Sequence, residues 1–143
     1  MAAILADVAT DFQAGGLDNA VLNGLIDARV KAMLDSYTIG GSTETSGSTI
    51  DIGAQLPSGC RVLEIILHFS VAQASLTLSI GDDASATRYG SALTGPQTAG
   101  ITRVSGKNYK TGQSSGDRQI LLTTGGATMT AGQLEVVILF TMD

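Results

Sequence analysis

The sequence predicts an all-β protein: an antiparallel β-sandwich of jelly-roll type that follows an N-terminal arm. Three observations support this prediction. Apolar and polar residues alternate with period two in many short segments, glycine-rich turns separate these segments, and helical spacing is confined to the N-terminal part. About eight such segments suit two packed sheets. One cysteine and no tryptophan favour a jelly roll over an immunoglobulin-like strand order.

The N-terminal segment differs from the remainder of the chain. We predict an arm over residues 1–28, extended or with a short helix, and a sandwich over residues 29–143. Apolar residues at helical spacings predict a helix over residues 18–26, with Asp18 as the capping residue of its first turn.

Residues 1–16 contain apolar side chains without any period and end at two glycines. Such a segment is either disordered or ordered only against another subunit. The small apolar residues Ile4, Leu5 and Val8 favour the second interpretation, and we predict that they belong to an interface.

The first two strands are predicted at residues 29–39 and 48–53. In the first, apolar residues alternate with longer or polar ones, and the segment ends in Tyr-Thr-Ile, which favours a strand over a helix. In the second, Ile50 and Ile52 share one face. A turn at residues 56–59, Leu-Pro-Ser-Gly, then leads into the central part of the chain.

Residues 60–81 contain the clearest strand signal. Two alternating runs follow each other with a very short connection at residues 72–73, and we predict that they form an antiparallel pair. The predicted core positions are Leu63, Ile65, Leu67, Phe69 and Val71 in the first run, and Ala74, Leu76, Leu78 and Ile80 in the second.

Further short strands are predicted at residues 87–92, 101–104, 107–111, 117–124 and 134–142. The last of these is apolar on both parities. One face of such a strand packs in the core, and the other is covered by a loop, an arm or a neighbouring subunit. Val137 and Leu139 are on this second face, and we predict that they also belong to an interface.

The composition indicates a surface that partners cover. Charged residues make up 15% of the chain, against roughly 25% in an ordinary soluble domain. A monomeric domain with a weakly charged surface is the alternative. The net charge of −5 and the scattered basic residues argue against nucleic acid as a partner. No basic segment precedes the first apolar residues, and no apolar run approaches the length of a membrane span, so we expect a soluble protein made in the cytoplasm.

The sequence also argues against catalysis. His68 is the only histidine, and Cys60 the only cysteine, so triads and clusters of histidine or cysteine ligands are excluded. We therefore expect neither enzymatic activity nor a cofactor. The neighbouring acids Asp82 and Asp83 follow a strand; we interpret them as a polar turn, and a calcium site is the alternative.

The chain from Arg29 onward resembles a known group of proteins. The segments that carry the resemblance are RVKAMLDSYTI, STIDIGAQLPSGCRVLEIILHF, ASLTLSIGDDASATRYGSAL and DRQILLTTGGATMTAGQLEVVILF, which together span about four-fifths of the sequence. They are similar to small jelly-roll proteins that decorate and cement the capsids of short-tailed bacteriophages.

This resemblance implies a structural virion protein on the outer capsid surface. It would bridge neighbouring major capsid proteins and assemble with itself as a homodimer or homotrimer. The resemblance supplies no catalytic residue and does not cover residues 1–28. The competing hypothesis is a receptor- or glycan-binding module of a tail fibre or baseplate, for which Asp82, Asp83 and Tyr89 would be the site.

Overall fold

The computed structural model describes residues 30–40 and 45–142. The predicted arm lies outside these residues, and so do its helix and the side chains of Ile4, Leu5 and Val8. In the described part, no helix is long and apolar enough to span a membrane. A short 3₁₀ helix spans Gly95–Gln97, and the strands are β1 (Val30–Thr38), β2 (Thr49–Ile52), β3 (Cys60–Phe69), β4 (Thr77–Asp82), β5 (Gly90–Leu93), β6 (Gly100–Lys110), β7 (Ile120–Gly125) and β8 (Gln133–Met142).

The strands form two antiparallel sheets of four strands each, with the orders β1-β8-β3-β6 and β2-β7-β4-β5. Consecutive strands lie in opposite sheets, except β4 and β5, which are neighbours in one sheet. This interleaving of early and late strands is the topology of a jelly roll. The predicted all-β sandwich is therefore confirmed.

The core lies between the two sheets. Ile50 and Ile52 on β2 are buried, as the alternation predicts. The inward side chains of β3, β4, β7 and β8 supply most of the other buried residues, which include Val62, Ile65, Leu67, Phe69, Leu76, Leu78, Ile80, Ile120, Leu122, Leu134, Val136, Ile138 and Phe140.

The predicted pairing of the two runs in residues 60–81 is wrong. β3 pairs with β6 and β8, whereas β4 pairs with β5 and β7 in the other sheet. The connection between them crosses the end of the sandwich. Gln73 is buried there: its amide donates to the carbonyls of Val71 and Ala131, and its oxygen accepts from the Thr130 N–H at 2.8 Å. A buried amide with partners on both segments holds this corner.

The predicted face of β3 is correct only from Ile65 onward. The register shifts between Val62 and Glu64, which is a β-bulge at Leu63. As a result Val62 is buried, while Leu63 is half-buried instead of filling the core. Val71 is 44% exposed, because the strand ends before it.

In the second run, Leu76, Leu78 and Ile80 are buried as predicted, but Ala74 lies in the exposed connection before β4. The strands predicted at residues 101–104 and 107–111 are one strand, β6, which passes through an irregularity. Lys107 and Asn108 both adopt positive φ angles, 54° and 52°. A Cβ on the preceding Gly106 would overlap the carbonyl of Val62.

β1 is oriented so that its more polar side faces inward. Met33 and Tyr37 pack against the core, and Asp35 accepts a hydrogen bond from the Gly53 N–H at 2.7 Å. This bond connects the edge of one sheet to the other sheet. Inward charges protect an edge strand from pairing with foreign strands. Val30 and Leu34 consequently point outward.

Candidate assembly surface

The outer side of the β1-β8-β3-β6 sheet carries an unusual number of apolar side chains. Leu34 lies opposite Val137, which lies opposite Ile66, so that three neighbouring strands form one apolar row. Ala32 and Leu139 form the adjacent pair. We call the outward side chains of Ala32, Leu34, Ile66, Val137 and Leu139 the apolar face.

Leu34 is the most exposed large side chain of this face, since it lies on the edge strand and is 74% exposed. Ile66, Val137 and Leu139 are half-buried by their neighbours. A groove of about 350 Å³ lies beside Leu34, and its remaining lining residues are Asp35, Ser36, Glu135, Val136 and Val137. Half of these lining residues are apolar and half are polar. An exposed apolar patch bordered by polar residues is typical of a surface that another polypeptide covers.

Charged pairs border the apolar face along β3. His68 Nδ1 lies 3.6 Å from a carboxylate oxygen of Glu135, and Arg103 Nη1 lies 3.3 Å from Glu64 Oε1. Both pairs are largely exposed and stabilise the fold by less than about 1 kcal/mol each. Their arrangement shows that the single histidine is a surface residue with an acidic neighbour.

The outer side of the other sheet is polar. Thr49 lies opposite Thr123, and Thr123 lies opposite Ser79. Asp51 is exposed on the edge strand β2. The one large apolar side chain here, Leu121, is only 6% exposed. Leu121 lies opposite Gly81, where a Cβ would overlap the Ser85 carbonyl oxygen, so the chain itself folds back over this position.

The loops at one end of the sandwich form a network of polar contacts. Asp82 is buried, accepts hydrogen bonds from the N–H groups of Ala84 and Ser85, and pairs with Arg88. The Arg88 guanidinium lies 4.0 Å from the centre of the Tyr109 ring. Such cation–π stacking holds the loop after β4 against β6.

Asp117 is the second centre of this network. It is buried, and its carboxylate accepts hydrogen bonds from the Tyr109 hydroxyl at 2.8 Å and from the N–H groups of Gly112, Gln113 and Ser114. Burial alone would raise the pKa of Asp117, but these hydrogen bonds together hold it below its ordinary value. Burial raises the pKa of Tyr109, and its hydrogen bond to Asp117 adds to the rise.

This geometry does not favour the glycan-binding alternative at Asp82, Asp83 and Tyr89. Asp82 is occupied by its own loop and by Arg88, and Tyr89 is 3% exposed and packs in the core. Asp83 is exposed, whereas the other two residues of this alternative site are buried. In the described part of the chain, no three His, Cys, Asp or Glu side chains lie together as metal ligands would. Asp82 forms the polar turn that the sequence predicts.

Val137 and Leu139 both lie on the apolar face, whereas Leu34 and Ile66 were not among the predicted interface residues. Ile66 breaks the polar parity of β3 between Glu64 and His68, and this was a usable signal. Leu34 gave no such signal, because the alternation of β1 shows two faces without showing which one is inward.

The fold has counterparts among phage capsids. A chain of the cyanophage Pam1 capsid asymmetric unit is 25% identical to this chain, with a TM-score of 0.67 over 80% of this chain and 86% of that one. A chain of the Ralstonia phage GP4 capsid is 14% identical, with a TM-score of 0.59 over 80% and 85% of the two chains. A chain of the acid-stable capsid of Helicobacter pylori bacteriophage KHP30 is 14% identical, with a TM-score of 0.51 over 80% and 94%.

Neither a protein-family model nor a curated protein sequence matches the chain. At 14% identity, the Ralstonia and Helicobacter phage structures show a shared fold. The Pam1 chain adds a detectable likeness in sequence. The likeness to the Pam1 chain supports a structural role for this chain in a phage virion.

Proposed function

We propose that this protein decorates the outer surface of a phage capsid and cements it by bridging neighbouring major capsid proteins. The observation that carries the proposal is the combination of a jelly roll similar to phage capsid chains with an apolar face on one of its two sheets. A protein that exposes Leu34 and half-exposes Val137 and Leu139 is suited to an assembly, where those side chains become covered.

The physical role would be the burial of surface across capsid subunits. Each 100 Å² of apolar area that leaves water contributes roughly 2.5 kcal/mol before the costs of association are subtracted. Many copies on one shell would add such contacts, and a self-associating protein would bind through several sites at once. Modest individual contacts can then stabilise the whole shell.

The test is to add the purified full chain to shells of its phage that lack it. We expect co-sedimentation with the shells and an increase in the temperature at which they rupture. Shells that neither bind the protein nor gain stability would contradict the proposal. A glycan array serves as the second arm, since strong and selective glycan binding would instead favour the receptor-binding alternative.

A further inference from the structure

The four edge strands that the described residues form differ in how well they are protected against pairing with another strand. β2 and β5 have four residues each, and the register of β5 on β4 shifts between Leu78 and Ile80. β6 is interrupted at Lys107 and Asn108, whose φ angles are positive. β1 has neither feature, since its nine residues pair with β8 without a shift in register. Short edge strands and bulges prevent edge-to-edge association, so β1 is the edge that can accept a further strand.

The edge of β1 that faces away from β8 meets no strand of the described chain over residues 30–36. These residues are Val-Lys-Ala-Met-Leu-Asp-Ser, and the segment is complementary to itself. When two copies lie antiparallel and centred on Met33, Lys31 of each copy stands directly opposite Asp35 of the other. Opposite charges in directly opposed positions stabilise a strand pair. The ion pair forms twice, as the twofold axis of a symmetric dimer requires.

Other registers lose this match. A displacement by one residue would oppose inward side chains to outward ones. A displacement by two places Lys31 opposite Met33 or Tyr37, and a displacement by four places Lys31 or Asp35 opposite the same residue of the other copy. Like charges that are directly opposed destabilise a strand pair. The sequence of β1 therefore selects one register with itself.

Both charged side chains are available for this pairing. Lys31 is exposed, lies on the same side of β1 as Asp35, and forms neither a hydrogen bond nor an ion pair within the described chain. Asp35 is half-buried and accepts hydrogen bonds from the N–H groups of Gly53 and Ser36 at 2.7 and 2.8 Å. An ionised carboxylate has about four acceptor sites, so these two neutral donors leave room for an ammonium group.

The pairing also joins the apolar faces of the two copies. A twofold axis perpendicular to the sheet keeps outward side chains outward, and it places Leu34 of each copy opposite Ala32 of the other. The row that contains Val137 and Leu34 in one copy then continues into Ala32 and Leu139 of the other. The two faces become one surface on a sheet with four strands from each copy.

We propose that two copies of this chain associate through β1, antiparallel and centred on Met33, so that their β1-β8-β3-β6 sheets form one continuous sheet. The inward Asp35 disfavours strands without a matching cation, and a second copy supplies Lys31 at that position. The inference deepens the proposed function by defining the unit that would meet the capsid, and it rests on that function only for this use of the dimer.

The first experiment measures dimerisation of the full chain by light scattering across a concentration series, without capsids. Lys31→Glu and Asp35→Lys each place like charges opposite each other twice, and we expect the dissociation constant of the dimer to rise at least about 10-fold in each. In an equimolar mixture of the two variants both pairs have opposite signs again, and dimers should return to within about 3-fold of the wild type. Lys107→Glu is the matched control, because Lys107 is an exposed lysine on the other edge strand of the same sheet.

Disulfide cross-linking tests the register without any change of charge. Ala32 and Leu34 are exposed, and the native Cys60 is buried. The Cα atoms of directly opposed residues are about 4.5–5.5 Å apart, within the range of about 4.4–6.8 Å that a disulfide spans. We expect oxidation to link Ala32→Cys to Leu34→Cys in a mixture at least about 10-fold more efficiently than it links either variant to itself.

Each other outcome overturns the inference. A monomeric or trimeric wild type would exclude the twofold pair, and a mixture that does not recover would place the contact elsewhere. Should Asp35→Lys fail to fold without its bond to Gly53, the cross-links decide, since efficient linking of Leu34→Cys to itself contradicts the register. Because no capsid is present, a failure to bind shells leaves these results intact, and the reverse also holds.

Discussion

The two sheets of this sandwich each have four antiparallel strands, but their outward side chains differ in polarity. On the β2-β7-β4-β5 sheet, threonine and serine face the solvent, and the large apolar side chain Leu121 lies where the chain folds back. On the β1-β8-β3-β6 sheet, Leu34 is exposed, and Ile66, Val137 and Leu139 are half-buried. One sheet buries its large outward side chain within the described chain, and the other leaves Leu34 exposed. Under the proposed function, this difference would orient the molecule in the assembly.

The largest expected effect is on capsid binding, and it compares a substitution on the apolar face with one on the polar outer side of the other sheet. If the apolar face is the proposed capsid contact, Leu34→Asp puts an unpaired charge where water is excluded, at a cost of about 4 kcal/mol. We therefore expect about 1,000-fold weaker binding to shells. Thr49→Asp should change binding less than about 2-fold. Co-sedimentation across a concentration series measures both, and equal losses for the two variants would contradict the assignment of the face.

The second prediction compares two outward leucines in the stability of the fold. Leu121→Ala removes a side chain that the chain itself buries and should lower the free energy of unfolding by about 2–4 kcal/mol. Leu34→Ala should change it by less than about 0.5 kcal/mol, because Leu34 is 74% exposed. Urea denaturation distinguishes the two. If Leu34→Ala proved as destabilising as Leu121→Ala, the apolar face would belong to the folded unit and not to an interface.

The third prediction concerns the loop network around Asp82 and Asp117, whose carboxylates each accept several hydrogen bonds. Asp117→Asn should cost about 1–3 kcal/mol, since the amide cannot accept all the hydrogen bonds that the carboxylate accepts. The pKa of Asp117 is lower in the folded state than its ordinary value of 3.8. Its stabilising contribution is therefore present above pH 3.8 and is lost as the pH falls below that value toward the folded-state pKa.

Thermal unfolding as a function of pH measures this effect. The difference in melting temperature between the wild type and Asp117→Asn should be constant from pH 5 to 7 and should shrink as the pH falls below about 4. Asp51→Asn is the control, because Asp51 is exposed on β2. A difference that persists unchanged at low pH would show that the carboxylate charge of Asp117 does not stabilise the loop.

The smallest expected effect is at the border of the apolar face. His68→Ala removes a side chain that is exposed and 3.6 Å from Glu135, and it should change the free energy of unfolding by less than about 0.5 kcal/mol. Differential scanning calorimetry near neutral pH suffices as the measurement. A loss of several kcal/mol would mean that the pair holds the sheet together and is more than a surface contact.

Local pattern predicted much of the fold. Alternation in β2, β4, β7 and β8 identified the strands and their buried faces, and the apolar second parity of β8 identified Val137 and Leu139 as outward apolar residues. These features are properties of neighbouring residues along one strand, because side chains of a strand point alternately to two sides. A prediction of this kind requires no knowledge of the partner strand.

The sequence by itself thus determined the fold class, the strands and a strand with two apolar faces. Only the tertiary structure decided that β3 and β4 lie in opposite sheets, since a short connection such as residues 70–76 can join a hairpin or cross between sheets. It also decided that Asp35 faces inward and Leu34 outward, because the Gly53 N–H that Asp35 binds is distant in sequence. Which strands pair, and which side of a strand faces the core, depend on contacts between segments that are distant in sequence. Alternation along one strand contains no information about those contacts.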